Sequence, residues 1–351
     1  MTTALLRYPG HPMSESMRNW SGHGAKWAWW CVYDIMREMG IEVTPAPYKH
    51  KPKRAYDIVY SMQDLHGLED AISDDTITMV RLTSLYPPFN NSQVIRRTNE
   101  VNNRRGVQIE PRRMMRIHTF HDHWLEIADH INMIGNDYTA YSFPIGIRDR
   151  IFTMDNAAGN VNGKVAVRER IPKKRAFLWH AGSGAIHKGL DLCLEVFAKH
   201  PDLTLHITGD FKREGDFMQA YAHELSLPNI HNHGWVNVSG KGFKRIIEDC
   251  FAFVLPTCAE SQSSAAVTCL TLGLYPIISR FTGVDLLDGC GLYLDSLTID
   301  DVEAKVLYTM NMTDGELLEQ VQQLQRDALW RYSRERFRET MTGYIKEALG
   351  A

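Results

Sequence analysis

The sequence predicts an α/β fold, with parallel sheets built from alternating strands and helices in two domains. The length of 351 residues suits this number, because a domain holds about 150 residues. Short apolar segments alternate with segments of helical periodicity in both halves of the chain, which is typical of a parallel sheet covered by helices. The clearest example is the stretch from Phe177 to Asp210, which predicts a strand–loop–helix–strand unit.

The elements of this unit follow from its hydrophobic pattern. Residues 177–180 form a short apolar run that leads into small residues, as a buried parallel strand does. Leu190, Leu194 and Phe197 recur at helical spacing and give that segment one apolar face. Residues 203–207 then alternate between apolar and polar side chains, which predicts the second strand.

The loop between the first strand and the helix carries the clearest chemistry. Gly182 and Gly184 allow backbone N–H groups to approach a ligand closely, and the following helix directs its positive end to the same place. Lys188 adds a mobile charge that suits phosphate oxygens. A surface turn that binds nothing and an anion site both fit this loop. The lysine beside the helix start favours the anion site.

The composition is that of an ordinary globular protein, with 44% hydrophobic residues and a net charge of -3. No run of about 18 apolar residues occurs and no signal-peptide pattern opens the chain, so we expect no membrane span. The six cysteines are scattered, which indicates reduced thiols and a cytoplasmic location. Three histidines, His118, His121 and His123, lie close together without a further ligand group. We therefore predict no metal site.

The first half offers one candidate binding loop. A strand is predicted over Ala4–Tyr8 and a helix over Ala25–Met39, with Gly22, His23 and Gly24 just before the helix. Open α/β sheets bind ligands at such positions, although a plain surface loop fits the same residues.

The segment from Arg81 to Arg116 has the most unusual composition. Its eight arginines face only two acidic residues, Glu100 and Glu110. A solvated basic helix is one interpretation. The other is a basic surface for an anionic acceptor such as a phosphate, a polyphosphate lipid or a nucleic acid.

A second polar loop follows the apolar strand predicted at residues 251–255. Glu260 lies beyond the end of that strand, where it is placed to accept hydrogen bonds from a ribose diol. Ser263 and Ser264 begin the next helix and are candidates to hold a phosphate. The alternative is that these serines cap the helix and that Glu260 complements its dipole.

Together these loops resemble the nucleotide-sugar-binding domain of group 1 retaining glycosyltransferases, which have the GT-B fold. The resemblance covers about Phe177 to Leu294 and depends on several pieces in order. These are Gly182 with Lys188-Gly189, Gly209-Asp210, Leu255-Pro256 through Glu260, Gly273 with Pro276, and Thr282-Gly283 followed by Gly289 and Gly291.

Two positions depart from the family pattern. Ser183 stands where the family usually has an arginine that neutralises the pyrophosphate, and Thr268 stands where a second glutamate is common. Arg280 and Lys212, each just past a predicted strand, are candidates to supply the missing charge.

The resemblance implies two Rossmann-like domains that face each other across a cleft. The predicted boundaries are an acceptor-side domain at 1–160, a linker at 161–175, a donor-binding domain at 176–329, and a C-terminal helix at 330–351 that crosses back to the first domain.

The resemblance also implies a sugar transfer from a nucleotide-diphosphate sugar with retention of configuration, without a metal ion or other cofactor. Lys188 would stabilise the leaving diphosphate, and Glu260 would hold the ribose. His121 is the candidate catalytic histidine, with His11 and His23 as alternatives. The predicted donor site comprises Gly182, Ser183, Gly184, Lys188, Gly209, Asp210, Glu260, Ser263, Ser264 and Thr268, and the acceptor side comprises Gly22, His23 and Gly24.

Three other functions fit the same pattern. A related enzyme could glycosylate modified bases in DNA, with the arginine-rich segment on the phosphates. A sugar-phosphate isomerase or epimerase of this fold would act without a separate acceptor. The departures at Ser183 and Thr268 also fit a protein that binds a nucleotide or glycan without catalysis.

Overall fold

The computed structural model describes residues 1–8, 24–116, 122–158 and 165–350, with the backbone alone for 24–26. The chain separates into two compact units. The first comprises Met1–Pro87, Arg116–Asn160 and Arg331–Ala351, and the second comprises Pro88–Met115 and Val161–Trp330.

Each unit contains one six-stranded sheet whose described strands all pair in parallel. The first sheet has the order β2-β1-β3-β4-β5-β6 and the second has the order β9-β8-β7-β10-β11-β12. The strands are β1 (Thr3–Tyr8), β2 (Glu42–Pro47), β3 (Ile58–Met62), β4 (Ile77–Leu82), β5 (His130–Ile134), β6 (Ile151–Met154), β7 (Ala176–His180), β8 (Leu205–Thr208), β9 (Ile230–Asn232), β10 (Cys250–Leu255), β11 (Tyr275–Ser279) and β12 (Leu292–Leu294).

Helices connect most of these strands, as parallel pairing requires. They are α1 (Gly24–Glu38), α2 (Pro87–Arg105), α3 (Asp122–Ile127), α4 (Asp137–Ala140), α5 (Ile145–Arg148), α6 (Leu190–Lys199), α7 (Gly215–Ala220), α8 (Lys241–Asp249), α9 (Ser264–Thr271), α10 (Ile299–Asn311), α11 (Asp314–Arg331) and α12 (Arg334–Ala348). Within the described residues, no helix is both long and apolar enough to cross a membrane.

The C-terminal helix α12 completes the core of the first unit. Phe337 and Met341 are buried there, and the Phe337 ring meets the Trp27 ring of α1 edge-on with centroids 5.5 Å apart. The Tyr60 hydroxyl of β3 lies 3.8 Å from the Met341 sulfur. The chain therefore returns to the first unit at its C-terminal end, as the fold prediction requires.

Helix α2 belongs to the second unit, although it lies between β4 and β5 of the first sheet in chain order. The predicted N-terminal domain at 1–160 included it. The physical reason for the difference is a set of ion pairs with α6. Arg97 Nη2 lies 2.7 Å from Asp191 Oδ2, and both side chains are fully buried. Arg104 pairs with the same carboxylate and with Glu195.

These ion pairs also bear on the two interpretations of the segment Arg81–Arg116, a solvated basic helix and a basic surface for an anionic acceptor. Arg105 pairs with Glu224, and Arg112 pairs with Asp216. Arg81 is buried in the first unit, with its guanidinium over the Trp29 ring. Most of the arginines therefore neutralise acidic side chains or lie in a core, so they do not form a continuous surface for an anionic acceptor.

Candidate functional site

The second sheet reverses its strand order between β7 and β10. Chain connections run toward β8 and β9 on one side of this point and toward β11 and β12 on the other. In open α/β sheets, ligands bind beyond the carboxyl ends of the strands at such a point. The two loops there are residues 181–189, which we call the glycine loop, and residues 256–263, which we call the glutamate loop.

Lys188 of the glycine loop and Glu260 of the glutamate loop meet at this point. The Lys188 ammonium forms an ion pair with Glu260 Oε1, and the Lys188 side chain is 6% exposed. The Trp179 indole N–H donates to the Lys188 carbonyl at 3.0 Å and so fixes the backbone of the lysine. Burial lowers the pKa of Lys188, while the Glu260 carboxylate opposes that shift.

Gly189 holds the two loops against each other. Its φ of +71° lies in the left-handed region, and a Cβ there would stand 2.3 Å from the Pro256 carbonyl oxygen. No other residue fits without displacing backbone. The Cys258 N–H also donates to the His187 carbonyl at 2.9 Å. The glycine after the lysine therefore lets the glycine loop approach β10 closely enough for the Lys188–Glu260 pair to form.

Among the described residues, one carboxylate oxygen of Glu260 is left without a partner by the Lys188 ion pair. Its Oε2 is buried and accepts no hydrogen bond within the described part of the chain. The Glu260 N–H donates to the Phe281 carbonyl at 2.9 Å, so the turn after β11 supports the glutamate loop. A Cβ on Gly283 of that turn would lie 1.6 Å from the Ser261 carbonyl oxygen, which explains the glycine there.

The hydroxyl groups at the start of α9 serve the helix itself. Ser263 is the N-cap residue, and its buried Oγ accepts from the Ala266 N–H at 3.4 Å. Thr268 Oγ1 donates to the Ser264 carbonyl at 2.8 Å. The sequence left open whether these serines hold a phosphate or cap the helix, and Ser263 caps the helix. Ser264 is exposed at the first helical position.

A carboxylate of the chain occupies part of the predicted anion site. The N–H groups of Gly184 and Ala185 donate to the two carboxylate oxygens of Glu214, at 2.6 and 3.0 Å. Glu214 is buried. The expectation that the Gly184 N–H faces a ligand is therefore not met. Gly182 and Ser183 are exposed, and they form the open part of the glycine loop.

Gly209 and Asp210 lie at the end of β8 beside this loop. A Cβ on Gly209 would stand 2.9 Å from the Ala181 carbonyl oxygen and 2.9 Å from the Trp179 ring, so the glycine allows close packing of the two strand ends. Its N–H donates to the Gly234 carbonyl at 2.9 Å. Asp210 is exposed.

Arg113 contacts the glycine loop, and the sequence did not indicate this contact. Its Cγ would be 2.6 Å from a Cβ on Gly184, so the arginine side chain crosses directly over the glycine loop. The two candidates for the missing charge lie elsewhere: Arg280 stacks on the Tyr293 ring at 4.2 Å, and Lys212 Cε would be 3.1 Å from a Cβ on Gly234. The richness of the segment in arginine was visible, but not which arginine reaches the loop.

The predicted acceptor side falls mostly outside the described residues. Gly22, His23 and the candidate catalytic His121 lie outside them, as do His11 and His118, and Gly24 begins α1. Of the predicted histidine cluster, His123 is described, and its ring lies 4.6 Å from the Trp124 ring.

No protein-family model matches the chain, and no curated protein matches it significantly in sequence. Solved structures do match. Sucrose-phosphate synthase from Thermosynechococcus elongatus superposes with a TM-score of 0.65 at 11% identity, over 100% of both chains. Anabaena HepE, solved with UDP and glucose, gives 0.58 at 12% identity, also over 100% of both chains. The chain has the GT-B fold. The predicted fold class is thereby confirmed.

A third match is TarM of S. aureus, solved with UDP, fondaparinux and α-GlcNAc-glycerol. Its TM-score is 0.56 at 12% identity, over 92% of the present chain and 59% of TarM. The chain thus spans little more than half the length of TarM. These neighbours are glycosyltransferases of the GT-B fold, and at such identities the similarity establishes the fold alone.

Proposed function

We propose that the protein is a glycosyltransferase that moves a sugar from a nucleoside-diphosphate sugar to an acceptor, a transferase of the EC 2.4 type. The observation that carries this proposal is the buried Lys188–Glu260 ion pair at the point where the second sheet reverses its strand order. A cation and a carboxylate with one free oxygen at this position match the two polar parts of a nucleotide donor, its diphosphate and its ribose.

Lys188 supplies the charge that the leaving diphosphate needs. The ammonium is held in place before substrate arrives, and it is largely shielded from water. A preorganised charge in such a site stabilises the charge that develops on the leaving group more than the same charge in water would. Burial lowers the pKa of Lys188, whereas nearby negative charge raises it. A bound diphosphate would therefore favour the protonated, charged form of Lys188.

Glu260 binds the ribose in this proposal. Oε1 is engaged with Lys188, and the buried Oε2 is an acceptor without a donor among the described residues. A ribose hydroxyl would satisfy it, which removes the cost of leaving a buried carboxylate oxygen without a hydrogen bond. The same carboxylate thus orients the nucleotide and holds Lys188.

The solved neighbours support the substrate class. HepE was solved with UDP and glucose, and TarM with UDP. Retention of configuration and a reaction without a metal ion follow from the resemblance to group 1 glycosyltransferases and are part of the proposal. All six cysteines are free and buried, which supports a reducing compartment.

One observation favours a second function, the binding of a nucleotide without catalysis. The Glu214 carboxylate already occupies two N–H groups of the glycine loop. If this carboxylate excludes the productive position of the diphosphate, the site would recognise a nucleotide but not turn it over. A donor-hydrolysis assay distinguishes the two functions, because only the enzyme releases nucleoside diphosphate from a bound donor.

The proposed function is tested by calorimetric titration with UDP, ADP, GDP and their glucose conjugates. Wild type is compared with Lys188→Ala and with Lys199→Ala, an exposed lysine on α6 that pairs with Glu303. We expect one nucleotide class to bind the wild type, and we expect Lys188→Ala to weaken this binding by about 10- to 100-fold, because charged hydrogen bonds contribute about 1.5–3 kcal/mol.

The control variant Lys199→Ala should bind like the wild type. Circular dichroism confirms that both variants are folded. No binding of any nucleotide by the folded wild type would contradict the proposal, and so would equal binding by Lys188→Ala and wild type.

A further inference from the structure

Residues 106–115, which follow α2 and which we call the return loop, place one arginine over the glycine loop. Hydrogen bonds hold the return loop near both of its ends. Asn102 exchanges two hydrogen bonds with the backbone of Ile109, at 2.8 and 3.1 Å. Asn91 does the same with the backbone of Met115, at 2.7 and 2.8 Å.

The centre of the return loop is fixed as well. The Glu110 N–H and the Arg112 guanidinium both donate to the Asp216 carboxylate at 3.0 Å. The Asn90 side chain donates to the Arg113 carbonyl at 3.1 Å. The path of the loop is therefore determined by contacts that do not use the Arg113 side chain.

Arg113 has an unusual backbone for its residue type. Its φ is +66°, in the left-handed region where a side chain is disfavoured and glycine is preferred. Such conformations persist where surrounding contacts enforce them, and they are concentrated at functional sites. An arginine therefore occupies a position where glycine would fit the backbone better.

The glycine loop is shaped to accept this side chain. Gly184 has a φ of +93°, and a Cβ there would lie 2.6 Å from Arg113 Cγ and 3.4 Å from Cδ. The arginine stem therefore lies directly on the glycine backbone. Burial lowers the pKa of Lys188 and His187, and the charge of Arg113 adds to both shifts, so the guanidinium acts on the same site.

Arg113 also differs from its neighbours in pairing. The other arginines between Pro88 and Met115 all form ion pairs with carboxylates, whereas Arg113 pairs with none in the described parts of the chain. Four charged side chains contact the glycine loop or belong to it or its partner: the cations Lys188 and Arg113 and the carboxylates Glu260 and Glu214. Without Arg113, a diphosphate would approach a site of net negative charge.

We propose that Arg113 binds the diphosphate of the donor, as a second cation that the return loop delivers to the glycine loop at Gly184. This inference rests on the proposed function and deepens it. Its guanidinium offers paired N–H donors that match phosphate oxygens, and it complements the point charge of Lys188. A cation distant in sequence thus acts at Gly184, the residue that follows Ser183.

The test uses the full chain and calorimetric titration with inorganic pyrophosphate and with UDP, ADP and GDP. Arg113→Gly removes the side chain and suits the positive φ, so its melting temperature should equal or exceed that of wild type. Its affinity for pyrophosphate and for the nucleoside diphosphate should fall by about 10- to 100-fold. Arg113→Lys should recover part of this loss, and the corresponding monophosphate should lose less.

The matched control is Arg96→Ala, which removes an exposed arginine of α2 that pairs with Glu100. It should bind like the wild type. The inference is wrong if Arg113→Gly binds as tightly as wild type while Lys188→Ala binds weakly, and in that case the donor site itself stands. It is also wrong if Arg113→Gly lowers the melting temperature, because the residue would then be structural. If the wild type binds no diphosphate, the proposed function fails and this inference fails with it.

Discussion

Removal of the Asp191 carboxylate is the sharpest test of how α2 is attached to the second unit. Asp191 is fully buried at the start of α6, and its Oδ2 accepts from Arg97 at 2.7 Å and from Arg104 at 3.1 Å. The Arg97 side chain is 1% exposed, and its other partner, Glu100, is 38% exposed. Asp191→Ala would leave the Arg97 guanidinium buried with a single, partly solvated carboxylate.

The expected magnitude follows from this geometry. Breaking a buried ion pair by removing one partner costs about 3–5 kcal/mol, because the remaining charge stays buried without compensation. Burial by itself lowers the pKa of Arg97, and the Asp191 and Glu100 carboxylates more than offset it. Since about 1 kcal/mol shifts the melting temperature of a domain of this size by roughly 2–4 °C, we expect a decrease of about 10 °C.

The assay is thermal and urea unfolding followed by circular dichroism. The control is Lys174→Ala, which breaks an exposed ion pair with Asp249 and should cost about 0–1 kcal/mol. The double variant Arg97→Met/Asp191→Leu removes both charges and should regain most of the loss, because apolar replacements of a buried pair are often neutral. An equal effect of Asp191→Ala and Lys174→Ala would refute the anchoring of α2 by this pair.

Three further predictions concern residues in or near the glycine loop, each measured as the free energy of unfolding in urea. Gly189→Ala should cost about 2–5 kcal/mol through its positive φ and its clash with Pro256, while Gly182→Ala, which meets open space, should be nearly neutral; equal effects would contradict the packing described. Burial lowers the pKa of His180 to about 4, whereas the pKa in the unfolded chain is about 6.5, so below pH 6.5 the unfolded chain binds more protons than the folded one. Acidification from pH 7 to 4.5 should therefore lower the free energy of unfolding by about 2–3 kcal/mol through this residue, and the His180→Phe variant should not show this part of the decrease. Glu214→Ala should cost about 2–4 kcal/mol because two buried N–H groups lose their acceptor, and a loss below 1 kcal/mol would contradict that role.

The parts of the site that could be predicted from sequence are those set by local structure. A buried strand that ends in small residues, followed by a helix, places its loop at the carboxyl edge of a parallel sheet wherever the other strands lie. Lys188 and Glu260 each follow such a strand, and the structure brings them together in an ion pair. The local pattern is enough to predict that each residue lies at the carboxyl edge of the sheet. The ion pair between them forms because β7 and β10 are adjacent strands.

The parts that could not be predicted depend on contacts between distant segments. Glu214 lies 30 residues from Gly184 along the chain, and no local pattern indicates that its carboxylate turns toward the glycine loop. Likewise, α2 looked like a solvated basic helix because its own sequence contains few acids. Its carboxylate partners, Asp191 and Glu195, belong to a helix 87 or more residues further on.

The serine at position 183 can be understood from the balance of charge at the loop. Glu214 satisfies the N–H groups of Gly184 and Ala185, so this half of the glycine loop keeps its shape without an external anion. The exposed half, at Gly182 and Ser183, is then the part that remains for a diphosphate in our proposal. An arginine at position 183 would belong to the glycine loop itself. Arg113 instead crosses Gly184 from the return loop, which is anchored separately. The absence of an arginine at position 183 is therefore compatible with our proposal, in which Lys188 and Arg113 supply the two cations of the site.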